Sequence, residues 1–147
     1  MGRLIAAVVV GYVVMAAVVF TTFSLAYLAV GVERAFEPGS YDVSGLWLVV
    51  SFTLGFVGAL AGGWVCAAIG KSAKAVNALV VAAVVLGVAL AVPVMLERSA
   101  PAPRTGAVGN MDAMQRAQTP LWVALLNPLV AAAGIVIAGR RKLAPAG

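Results

Sequence analysis

Four apolar runs, each long enough to cross a bilayer, constrain this chain more than any other feature. A helix needs about 20 residues to span the hydrocarbon core at ~1.5 Å per residue. The runs extend over roughly 4–32, 44–70, 75–96 and 121–139. The expected fold is an all-α membrane protein, one integral membrane domain over residues 1–147. It is a four-transmembrane-helix bundle with one long extracytoplasmic loop holding a short surface helix.

Composition removes the soluble alternative. Hydrophobic residues make up 63% of the 147-residue chain and charged residues 10%. A soluble domain this small would expose much of that apolar surface and aggregate. The opening Met-Gly-Arg looks like the start of a signal peptide. The uncharged run that follows is much longer than a signal core of about 7–15 residues, so it reads as a retained helix.

Punctuation between the runs fits this division. Glu33, Arg34 and the segment 37–40 form a polar turn, with Ser44 as N-cap of the second long helix. Gly70, Lys71 and Ser72 make a tight connection. Thr119 and Pro120 read as N-cap and first residue of the last span. In the loop 97–119, Pro101 and Pro103 favour extended chain, and Asn110 is placed to cap a short amphipathic helix reaching Gln118. Met111 and Met114 would share one face of it, Asp112 and Arg116 another. With no His or Cys nearby, the methionine pair reads as apolar contacts rather than a copper(I) site.

Charge gives a direction. Arg3, Lys71, Lys74, Arg140, Arg141 and Lys142 fall on one side of a four-span arrangement, and no acid joins them. All five acids lie between Glu33 and Asp112, on the other side. The positive-inside rule then places both termini in the cytoplasm of a plasma (inner) membrane protein. The net charge of +5 is thereby explained without nucleic acid. Tyr27, Tyr41, Trp47 and Trp122 fall near the outer boundary and Trp64 near the inner one, where amphipathic rings favour the headgroups.

The second long run carries two strips of small residues spaced by four, hence on one helix face each. Gly58, Gly62, Cys66 and Gly70 form one; Gly55, Ala59, Gly63 and Ala67 form the other. In lipid, helices associate through such close approach. The strips are expected to pack against another helix, of this chain or of a partner. Cys66 belongs to them as a small residue; with no histidine or acid to activate it, it is not read as a nucleophile.

No charge lies deep in any span, which argues against a proton-coupled pump. The absence of histidine, of paired cysteines and of a carboxylate cluster leaves no expected metal or cofactor, and no catalytic motif is present. The neutral groups Thr22, Ser51, Thr53 and Asn127 share an outer depth range. Pro128 cannot donate to the carbonyl of Ala124. These groups are either an outer polar pocket or bonds within the bundle. Taken together, the expectation is a non-enzymatic membrane protein acting through helix contacts with another membrane protein or a second copy, as an accessory or scaffold subunit. The alternative is a small transporter or channel for a neutral or lipid-like solute. A membrane enzyme with its site on the loop 97–119 ranks third.

Overall fold

The computed structural model describes residues 1–96, 103–104 and 108–144, without the side chains of residues 93–96, 110, 111 and 114. Six helices follow one another: α1 Gly2–Val30, α2 Val32–Ala35, α3 Gly45–Gly70, α4 Ala73–Leu96, α5 Asn110–Gln115 and α6 Leu121–Leu143. Four of them, α1, α3, α4 and α6, are long and apolar enough to cross a membrane. The apolar stretch of α4 that meets this measure is Ala73–Val92.

Local chemistry sets the boundaries. Gly31, at φ 75°, ends α1, and a single helical turn, α2, follows. The first run expected over 4–32 is thus cut just before its end. Ser44 is the N-cap of α3: its Oγ accepts from the Trp47 N–H at 3.2 Å and donates to the Arg34 carbonyl at 2.6 Å. At the other end, Lys71 takes the left-handed C-cap conformation, at φ 48°, that glycine would fill with less strain. Gly70 stays helical beside Ala75, where any Cβ would collide with that side chain. The Ser72 hydroxyl then accepts from the Ala75 N–H at 3.3 Å, opening α4.

Several boundaries in α5 and α6 differ from expectation. Pro120, not Thr119, occupies the cap position of α6, and its carbonyl accepts from Val123 N–H at 3.0 Å. Proline's fixed φ suits that position as well as the first turn. At its far end α6 runs on to Leu143, past Gly139, through Arg140, Arg141 and Lys142, cations that favour a helix C-terminus. Similarly, α5 begins with Asn110 already helical, and the Gly109 carbonyl accepts from Ala113 N–H at 3.0 Å, so Asn110 does not precede the helix as a cap. The Met111 and Met114 side chains, and residues 97–102, lie outside the described residues.

The long helices form one bundle. α3 packs against α1 and α6; α4 packs mainly on α6 and touches α1. The main core includes Ala7, Ala59, Cys66, Leu79 and Ile135. Its members are mostly small, as close backbone approach requires. The six cations free of acids gather at this end of the bundle. Arg3 Nε donates to the Ile69 carbonyl at 2.8 Å, and Lys142 Nζ lies 4.7 Å from the centre of the Trp64 ring.

A second core caps the opposite end. Tyr27, Val32, Ala35, Phe36, Val43 and Ala113 are buried together, with Trp47 partly buried against them. Tyr27 and Trp47 meet edge to face at 5.5 Å. Tyr41 is buried as well. Of the aromatic residues assigned to membrane boundaries, Trp64 and Trp122 are exposed, whereas Tyr27 and Tyr41 are packed inside the cap. The two connecting segments are sewn together by backbone: Gln118 N–H donates to the Tyr41 carbonyl at 2.8 Å, Val43 N–H to Gln118 at 3.2 Å, and Arg104 N–H to Gly39 at 2.9 Å. The Arg104 side chain is 6% exposed, and its Nη2 pairs with Glu33 at 3.1 Å.

Candidate functional site

The small residues of α3 meet other helices of the same chain. Ideal Cβ atoms make the geometry explicit. At Gly62 one would lie 2.7 Å from the Gly11 carbonyl oxygen, and at Gly58 2.5 Å from Val19 Cγ2, both on α1. At Gly63 it would lie 2.6 Å from the Ile135 carbonyl oxygen on α6. Cys66 is buried beside Gly11, and its thiol donates to the Ala75 carbonyl at 3.4 Å. Gly55 differs from its neighbours: nothing lies within 4 Å of the position a Cβ would take.

Among the described residues, the cavity that Asn127 lines does not include Thr22, Ser51 or Thr53. Thr22 Oγ1 donates to Val18 O at 2.7 Å, Ser51 Oγ to Trp47 O at 2.6 Å and Thr53 Oγ1 to Val49 O at 2.8 Å. Each hydroxyl bonds the carbonyl four residues back on its own helix, a short-range choice open to any helical Ser or Thr. Asn127 stands apart. It is exposed, and among the described residues no side-chain hydrogen bond involves it.

Asn127 instead lines a cavity of about 370 Å³ between α1, α4 and α6. Tyr12 and Met15 contribute from α1, Gly87, Leu90 and Ala91 from α4, and Ala124, Asn127, Pro128 and Ala131 from α6, with Thr119 beyond the start of α6. Its origin lies in the packing. Near the basic end α1 and α4 meet where Leu79 lies against Gly11. Toward the cap, α4 is held to α6 instead, with the Gly87 backbone against the Pro128 ring; a Cβ there would come within 2.8 Å of Pro128 Cγ. The space left opens sideways, and Leu90 on its wall is 69% exposed.

Three of the lining residues carry the chemistry. Asn127 offers two donors and an acceptor. Pro128, inside α6, has no N–H to give to the Ala124 carbonyl, so this helical acceptor lacks its usual partner. Thr119 adds a hydroxyl toward the cap. Among the described residues, no charged one lines the cavity. Asn127 and Pro128 were recognisable as intramembrane polar features, and Thr119 was misread as a cap. Tyr12 and Met15 had no sequence signal; on α4 the small residues Ala83, Gly87 and Ala91 recur every four residues in the sequence, but that spacing marks a packing face and not a gap between helices distant in the chain.

The chain matches no protein-family model, no curated protein and no solved structure.

Proposed function

We propose that this is a non-enzymatic multi-pass membrane protein that binds a neutral, lipid-like molecule in the cavity between α1, α4 and α6, as a small carrier or channel element for it. The supporting observation is the pairing of the Asn127 amide, which has no side-chain hydrogen bond among the described residues, with an open, otherwise largely apolar cavity. A polar group without a partner is costly in hydrocarbon, and an occupant with a matching group relieves that cost. The basic end carries Arg3, Lys71, Lys74 and the 140–142 cluster, which supports a plasma-membrane orientation with both termini cytoplasmic. The cavity then serves the outer leaflet, and the cap lies outside the cell.

A helix-contact role, as accessory or scaffold subunit or homo-oligomer, is the second reading. Most α3 glycines face helices of the same chain, so they offer little to a partner. Gly45, at the first position of α3, and Gly55 are the exceptions, and Gly55 has open space along the span where a foreign backbone could approach.

Mild extraction followed by native mass analysis separates the two. A stoichiometric apolar small molecule, lost on Ala124→Phe, supports the cavity reading. A stoichiometric protein partner or dimer insensitive to Ala124→Phe, with no small molecule, overturns it.

A further inference from the structure

We infer that the cavity selects amphiphiles whose head is a neutral hydroxyl, and discriminates against lipids with charged or capped heads; this rests on the cavity-binding reading above. Depth is the first argument. Asn127 lies six residues past Leu121, about 9 Å along α6 from its start. A head drawn to that level leaves the headgroup layer. A phosphate or ammonium would arrive there with no counter-charge from the cavity lining, because among the described residues no acidic or basic side chain lines it. A small neutral head loses much less hydration.

Donor and acceptor balance is the second argument. The Asn127 amide nitrogen donates. The Asn127 amide oxygen and the Ala124 carbonyl, which Pro128 cannot satisfy, both accept. A hydroxyl is the smallest neutral group that accepts from the first while donating to one of the others. An ester or ether in its place can only accept. The body of the ligand then lies along Met15, Leu90 and Ala91. From Ala124 to Ala131 the cavity wall on α6 rises over seven residues, ~10 Å, which lies within one leaflet of a ~30 Å core. Diacylglycerols, long-chain alcohols and polyprenols share this chemistry.

The test uses the full chain in phosphatidylcholine nanodiscs, with bulk phospholipid as a standing competitor. The probes are 1,2-dioctanoylglycerol and its 3-acetyl derivative, read by native mass analysis of the bound fraction. The hydroxyl-bearing probe is expected to bind about three- to tenfold more tightly, the size of one neutral hydrogen bond. Asn127→Leu is expected to abolish the preference while leaving weak binding of both probes. Pro128→Ala, which returns an N–H to Ala124, is expected to reduce it with Asn127 intact, and decides the matter if the first variant does not fold. Equal binding of both probes by the unaltered protein overturns the selectivity and leaves the cavity reading standing. Copurifying phosphatidylcholine seated in the cavity in preference to either probe also overturns it. Absence of any bound amphiphile overturns both.

Discussion

Gly62 on α3 and Gly11 on α1 meet backbone to backbone: a Cβ at Gly62 would lie 2.7 Å from the Gly11 carbonyl oxygen and 2.8 Å from Met15 Cβ. A main-chain obstacle cannot rotate away as a side chain can. Gly62→Leu is therefore expected to destabilise the bundle by about 3 kcal/mol or more, the upper end of overpacking costs. Gly55→Ala, facing open space, is expected to change stability by about 1 kcal/mol or less. Thermal unfolding in detergent compares them, and equal melting temperatures would contradict the packing described.

Cys66 is buried with its thiol directed to the Ala75 carbonyl. A maleimide is expected to label it only after denaturation. Cys66→Ser retains a donor of similar size and is expected to fold. Cys66→Leu meets α1 at Gly11, whose own Cβ position is 2.8 Å from Cys66 Cβ, and is expected to unfold the bundle. Rapid labelling of the folded protein would show that α1 and α3 are not closed over this position.

The spans and the Ser44 cap could be read from local pattern, because length and capping are short-range properties. The polar pocket could not. Counting residues from helix ends places Thr22, Ser51, Thr53 and Asn127 at similar depths but says nothing of azimuth. The three hydroxyls then close on their own helices. Arg104 carried no signal either: its burial follows from pairing between the segment 36–43 and a loop more than 60 residues later.

That pairing has a measurable consequence. The Arg104 side chain is almost fully buried, its Nη1 has no hydrogen-bond partner among the described residues, and the side chain of its ion-pair partner Glu33 is 84% exposed. Because water screens the carboxylate, Glu33→Gln is expected to loosen the cap by about 1 kcal/mol or less. Hydrogen exchange at the Arg104 amide, bonded to Gly39, reads this as up to roughly fivefold faster opening. Unchanged exchange would mean the ion pair does not hold the loop.

Orientation is tested by fusion. Alkaline phosphatase attached after Gly147 is expected to be inactive, and the same enzyme fused after Gly109 active. The reverse pattern would place the cavity in the inner leaflet.

Nuclear Overhauser contacts from the Asn127 side-chain amide protons, measured in nanodiscs on deuterated protein, test the central claim most directly. Contacts to a resident small molecule in slow exchange are expected, and they are expected to be absent in Ala124→Phe. Contacts only to rapidly exchanging bulk lipid, or to a second copy in a mixed-label sample, would contradict it.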